Sequence, residues 1–334
     1  MGEHLEMNVR IINLEKELIN LKNMKNILSN DELLEFCINN KEFLNAYVKA
    51  MEFKDGFKDF SLSLYNAMIK YPNILNEIDK VVSNMIIDKN NIEDKLSFLS
   101  ELSNYNKNLD IIMFYGGFND GICTYGDSIY YGMEWFVNPD NINMKNDEVL
   151  YNYLKQYSIN PKDIIYNTVI HEFVHICSSE IKDKSTCMWH LIEEGRAAYI
   201  TNQLDKRDDL GLLMNKEDLN WCKKNEKYLF NEMFKAISKN DENKYFDFIS
   251  PRKDICGISR TGYFIGYKLI ETYMNTLDKL NEKEKMKKLL CANETEVYFN
   301  ILRNMCLQTI YRLMNHIFIL SNIFIYYTLE QNIN

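Results

Sequence analysis

Apolar residues recur every three or four positions over most of the first hundred residues, which is the spacing of one helix face. The pattern is clearest over 5–28. Further stretches at about 31–54, 61–88 and 91–104 repeat it, and asparagine-rich turns separate them. We therefore predict that residues 1–105 form an N-terminal helical module, which contains no cluster of side chains suited to catalysis.

The pattern changes after Asn108. Short apolar runs at 111–115 and 128–137 are rich in branched and aromatic side chains, and each ends at a turn signal, which is typical of strands. Two neighbouring runs predict a small antiparallel sheet. The expected fold class is therefore α+β, predominantly helical.

The next helix is predicted over 160–180, where Asn160 can cap the first turn and apolar residues cover nearly the whole circumference. Inside this apolar helix, His171, Glu172 and His175 form the pattern H-E-x-x-H. Residues four apart lie on one helix face, so both imidazoles can reach a single ion. Buried polar side chains need partners, and Zn²⁺ binds imidazole readily. The sequence therefore predicts a zinc site.

A third ligand is predicted on the following helix. Eighteen residues separate His175 from Glu194, which begins the sequence Glu-Gly-Arg-Ala. This H-E-x-x-H-x18-E pattern with Glu-Gly-x-Ala resembles the gluzincin metallopeptidases. The G-Y-x-x-G-Y run at 262–267 is similar to one found in predicted bacterial zinc-dependent proteases. Together the resemblances cover roughly 110–280.

The resemblance implies a zinc metallopeptidase in which His171, His175 and Glu194 hold Zn²⁺. Its catalytic region would combine a small antiparallel sheet with the zinc-binding helices. A peptide or protein would be the substrate. Glu172 would activate the zinc-bound water for attack on the substrate.

The resemblance also implies roles for two tyrosines and for a glutamate outside the zinc motif. Tyr267 or Tyr263 would donate a hydrogen bond to the charge that develops on the substrate carbonyl. Glu134 follows Met133, as the glutamate follows methionine in the Gly-x-Met-Glu-Asn strand of gluzincin aminopeptidases, so the resemblance implies that it would bind the substrate amine. Trp135 stands where that strand has asparagine.

Several gluzincins carry an acidic residue four positions after the third ligand, where this chain has Ala198. Support for a zinc-bound histidine is therefore expected from Asn167 or Asn202. Glu193 and Arg196 are three residues apart, which is typical of an ion pair on a helix surface.

The predicted domains are the helical module at 1–105, the catalytic region at 106–309, and an apolar C-terminal helix or tail at 310–334. The most apolar tract, 317–329, is short for a membrane span, so a membrane partner is not expected. The pattern does not indicate an oligomeric state.

The composition of the chain limits its possible binding partners and its cellular compartment. The chain has 39 Lys and Arg against 48 Asp and Glu, a net charge of −9, which argues against a nucleic acid partner. Eight cysteines occur without any C-x-x-C pair, and no secretory signal is expected in the first residues. We therefore expect free thiols and a cytoplasmic protein.

Two alternatives to a peptidase stay open at this point. The same site would serve a zinc hydrolase that acts on a non-peptide amide. The chain could also be a helical interaction protein in which H-E-x-x-H is incidental or inactive.

Overall fold

A computed structural model describes residues 7–301, apart from 26, 86–87, 120, 145, 158–160, 179–186, 212, 240, 251–252, 294–295 and 298–299. The predicted C-terminal helix or tail at 310–334 lies outside the described residues, as does the predicted cap Asn160. No helix within the described part has the length and apolar character needed to cross a membrane.

Helices make up most of the described chain, which confirms the predominantly helical α+β class. They are α1 (Leu14–Lys25), α2 (Asn30–Asn39), α3 (Lys41–Ala50), α4 (Phe57–Lys70), α5 (Ile74–Asn84), α6 (Lys89–Ser103), α7 (Glu148–Tyr157), α8 (Pro161–Ser178), α9 (Cys187–Asp205), α10 (Lys216–Lys224), α11 (Glu226–Ser238), α12 (Glu242–Ile249), α13 (Thr261–Met274) and α14 (Glu282–Cys291).

The described strands form one four-stranded sheet. Its order is β1 (Val9–Asn13), β2 (Leu109–Phe114), β4 (Ser128–Gly132) and β3 (Ile122–Tyr125). Strands β1 and β4 both run parallel to β2, and only β3 pairs antiparallel, with β4. The prediction of an antiparallel sheet is therefore wrong in part, because the sheet is mixed.

The segment predicted as a helix over 5–28 begins as a strand. Val9 pairs with Leu109, a partner one hundred positions away that local periodicity cannot reveal. The strand runs directly into α1, which leaves the side chain of Glu15 only 1% exposed at the first turn. Burial raises the pKa of the Glu15 carboxyl to about 8.

The strand predicted over 128–137 is shorter than expected. It ends at Gly132, and a 3-10 helix at Met133–Phe136 follows. This turn places the carboxylate of Glu134 against the preceding loop, where it accepts hydrogen bonds from the backbone N–H groups of Gly116 and Phe118. These bonds satisfy buried donors of the loop at Gly116 and Phe118.

Helices α8, α9 and α13 form the part of the core that carries the predicted site. Apolar side chains of α8, namely Val169, Ile170, Phe173 and Val174, are fully buried, as predicted for this helix. One flank of α8 packs on α6 and the other on α9, which in turn packs closely on α13. The predicted ligands therefore belong to helices at the centre of the protein.

Candidate metal site

Helices α8 and α9 bring His171, His175 and Glu194 together. The two Nε2 atoms of the histidines lie 3.2 Å apart, and Glu194 Oε2 lies 3.1 Å from His171 Nε2 and 3.5 Å from His175 Nε2. The side chain of His171 is 6% exposed and that of Glu194 is 26% exposed. The cluster is thus closed on the His171 side and open to solvent beside Glu194.

These distances fit the donor spacing of a zinc ion. Zinc binds imidazole nitrogen and carboxylate oxygen at about 2.0–2.2 Å, so neighbouring corners of its tetrahedron lie about 3.3–3.6 Å apart. The donor set, two nitrogens and one oxygen, also suits zinc. Three protein ligands leave one corner, which the exposed side of the cluster can provide to another group. The assignment of these residues as metal ligands stays a prediction.

The side chains of the cluster shift one another's pKa values. Burial alone would lower the pKa of His175, but the neighbouring Glu194 carboxylate raises it to about 9. Burial would raise the pKa of Glu194, but both histidines hold it well below the usual range. Burial also lowers the pKa of His171. The pKa values of His175 and Glu194 thus shift in opposite directions, as expected where a carboxylate attracts positive charge.

The predicted support for the histidines is not formed by direct hydrogen bonds. Asn167 Nδ2 donates to Asp205 Oδ2 over 3.1 Å, and the Asn202 amide donates to loop carbonyl oxygens of Arg207 and Asp209. His171 Nδ1 is buried without a hydrogen-bond partner among the described residues. It borders a small cavity lined by Asn167, Thr201 and Asn202 among others.

The structure places the predicted catalytic side chains at different distances from the cluster. Glu172 is buried beside it, 9% exposed. The ring of Tyr263 lies 6.3 Å from that of His171, whereas the Tyr267 hydroxyl donates to Asn202 Oδ1 over 3.3 Å. Tyr263 is therefore at the site, and Tyr267 belongs to the polar network behind it.

Arg260 was missed by the sequence analysis. It precedes α13 with a left-handed φ of 58°, and its guanidinium lies 4.8 Å from the ring of Tyr153 and 5.6 Å from that of Tyr263. Its positive charge is among the causes that lower the pKa of His171. Nothing in the local sequence reveals this position, because it depends on the turn before α13.

Glu134 does not lie with the cluster. It is 0% exposed, and its carboxylate accepts hydrogen bonds from the N–H groups of Gly116, at 3.0 Å, and Phe118, at 3.0 Å. A Cβ atom on Gly116 would lie 3.0 Å from this carboxylate, so the loop fits closely around it. The described contacts of Glu134 fix the loop, and its predicted role toward a substrate stays untested.

The expected surface ion pair of Glu193 and Arg196 is buried instead. Arg196 is 1% exposed, and its Nη1 lies 2.9 Å from Glu193 Oε1. Arg196 also donates to the backbone oxygen of Ala292, and Ser178 Oγ donates to Glu193 Oε2 over 3.0 Å. The expectation was wrong because Ala292 is distant in the sequence, so the spacing within α9 could not show which side is covered.

A family model described as Gliding motility protein GldB matches residues 2–300. The match covers most of the sequence, so the chain belongs to this family. No curated protein and no solved structure matches the chain.

Family membership corrects the function predicted from the motifs. The resemblance to gluzincin metallopeptidases and predicted zinc-dependent proteases is wrong as an identification, because the family matched over 2–300 is a gliding motility family. The predictions of an enzyme and a hydrolase are contradicted by the same match, which gives the predicted peptide substrate no support. H-E-x-x-H and one distant glutamate fix only a few positions, whereas the family match rests on most of the chain.

The predicted cytoplasmic location is corrected by the same match, since the family model carries the label of a lipoprotein and thus points to the cell envelope. Of the two alternatives that the sequence left open, a helical interaction protein agrees better with the family match. The roles in hydrolysis predicted for Glu172, Tyr263 and Tyr267 depended on the predicted enzyme, which the family match contradicts.

Proposed function

We propose that this chain is a non-enzymatic interaction protein of gliding motility, and that a zinc ion bound by His171, His175 and Glu194 holds its central helices together. The observation that supports the interaction role is the family match over residues 2–300.

The spacing of the three donor atoms supports the metal. Distances of 3.1, 3.2 and 3.5 Å between the nitrogen and oxygen atoms match the corners of one zinc coordination sphere. A bound ion would join α8 to α9, because His171 and His175 lie on α8 and Glu194 lies on α9. The ion would bind only the folded state, in which the three ligands meet, and would therefore stabilise it.

Metal analysis of the full chain tests the first half of this proposal. Protein purified without chelator should contain about one zinc per chain, and removal of the metal should lower the melting temperature by several degrees. The His175→Ala variant should lack the ion and melt with the metal-free protein. Cys177→Ala is the matched control. Cys177 lies on the same helix as His175, but its Sγ accepts a hydrogen bond from Ser103 Oγ and is not one of the three proposed ligands. Wild-type protein free of zinc under zinc-replete conditions would remove the metal from the proposal.

The interaction role needs a cellular test. Deletion of the gene in the source organism should impair movement over surfaces, and the wild-type gene should restore it. Cross-linking in intact cells should capture envelope proteins on the tagged protein. The wild type and the Cys177→Ala control should capture the same ones. Normal movement of the deletion strain, with no cross-linked protein, would contradict the role even if zinc were bound.

A further inference from the structure

A cleft of about 790 Å³ lies apart from the histidine cluster, on the outer side of α9. Helix α11 forms one wall, and residues of α9 and α13 form the other. Its apolar lining includes Met188, Ile192, Phe230, Phe234, Leu269 and Ile301. A mostly apolar cleft of this volume falls in the range of small-molecule sites, about 300–1,000 Å³.

The charged residues of the cleft are concentrated at one end. Lys223 and Lys224 end α10, and Lys227 lies in the first turn of α11. None of the three forms an ion pair among the described residues, whereas Lys235 on the same helix is paired with Glu232. Glu226 is the one acidic residue that lines this cleft in the described chain. The end of the cleft is therefore positive on a protein whose net charge is −9.

The apolar end follows along the same helix face. Phe230 and Phe234 come three and seven residues after Lys227, which places them on one side of α11. Seven residues correspond to a rise of about 10 Å, so the positive end and the aromatic end lie about that far apart. Phe234 is 40% exposed although it is aromatic. The cleft thus offers a cationic group and an apolar surface in a fixed order.

We infer that this cleft binds an anionic amphiphile with one alkyl chain, whose carboxylate or phosphate head pairs with the lysines and whose tail lies along Phe230 and Phe234. Charge complementarity at one end and apolar contact at the other match both halves of such a molecule. The walls offer few hydrogen-bonding groups, Asn231 and Thr272 among them, which favours an alkyl chain over a peptide backbone.

Equilibrium binding of 11-(dansylamino)undecanoic acid to the full chain tests the inference, at probe concentrations below micelle formation. We expect saturable binding of one probe per chain. Unlabelled dodecanoate and dodecyl phosphate should both displace the probe, and their relative affinities show which head is preferred. Uncharged dodecanol should compete at least about tenfold less well, because it lacks the charge.

Two pairs of variants test the two ends of the cleft. Lys227→Glu should weaken probe binding by about tenfold or more, and Lys239→Glu, an exposed change at the end of α11, should leave it within about twofold. Phe234→Ser should weaken binding similarly, with Phe246→Ser as the control because Phe246 is 56% exposed and does not line the cleft. All four positions are exposed, so unchanged circular dichroism and melting are expected.

Three results would overturn the inference. They are the absence of saturable binding, binding that neither Lys227→Glu nor Phe234→Ser weakens more than its control, and displacement by dodecanol as strong as by dodecanoate. Displacement of the probe by an acidic amphipathic peptide but by neither anionic alkyl compound would assign the cleft to a protein partner instead. None of these measurements depends on zinc.

Discussion

A Cβ atom placed on Gly266 would lie 2.9 Å from the Cα of Gly195, so the backbones of α13 and α9 are in direct contact. A Cβ atom on Gly195 would in turn overlap the carbonyl group of Gly266. Gly195 immediately follows Glu194 in the sequence. This contact therefore fixes the depth at which α9 presents the predicted ligand.

Replacement of Gly195 by alanine should lower the free energy of unfolding by about 2–3 kcal/mol, because the added methyl group forces α9 and α13 apart. In an ordinary helix interior, the same change stabilises by about 0.5–1 kcal/mol. The sign of the effect thus tests the contact. Urea denaturation measures it, and a variant as stable as wild type would show that the helices can separate freely.

Glu194→Gln and Glu193→Gln should separate metal binding from folding. Glu194→Gln should lower zinc affinity strongly, because a neutral amide replaces a charged ligand. Glu193→Gln should retain zinc but lose about 3–5 kcal/mol of stability, because it leaves Arg196 buried with its charge uncompensated. Metal content and denaturation of both variants give the answer. Zinc lost from the Glu193 variant alone would move the ligand assignment to Glu193.

Much of the candidate site could be predicted from the sequence, because its geometry is local. Four-residue spacing on one helix places His171 beside His175 whatever the rest of the chain does. To predict that Glu194 lies beside these histidines, the Glu-Gly-x-Ala motif was needed as well as the spacing. Arg260 and the burial of Arg196 could not be predicted, since both depend on segments far away in the sequence.

The sheet shows the same limit for the fold. Apolar runs indicated β2 and β4, but β1 was hidden in a segment with helical spacing and β3 in a glycine-rich loop. No local signal could predict that β1 and β4 run parallel to β2. Parallel strands are joined by long connections, so the residues that pair are far apart in the sequence. Function was predicted least well, since a short metal-binding pattern does not distinguish an enzyme from a protein that holds a metal.

Glu15→Gln should stabilise the protein at alkaline pH. The pKa of Glu15 is raised to about 8 in the folded protein, so the folded state binds the proton more tightly than the unfolded state. This contribution is present at acidic pH and is lost as the pH rises from about 4.5 through 8. At pH 9 the variant should exceed wild type by up to about 4 kcal/mol, and at pH 5 the gap should nearly close. Thermal melts across this range measure it, and a constant gap would contradict the assignment.

Glu134→Gln should lower the stability of the protein by about 1–3 kcal/mol. The buried carboxylate accepts hydrogen bonds from Gly116 and Phe118, whereas an amide turns one donor toward these N–H groups. Hydrogen exchange should accelerate at the loop amides. Wild-type protection in the variant would show that the carboxylate does not hold this loop. Glu232→Gln, at a partly exposed pair, serves as the control.

The pairing of Val9 with Leu109 also sets an order of assembly. At a synthesis rate of about 5–20 residues per second, β2 follows β1 by about 5–20 s. During that interval the first strand has no partner, while α1 to α6 are synthesised one after another and can begin to pack. The sheet therefore closes late, after a search across a long intervening segment, and this late step is where the nascent chain exposes an unpaired strand edge to other molecules.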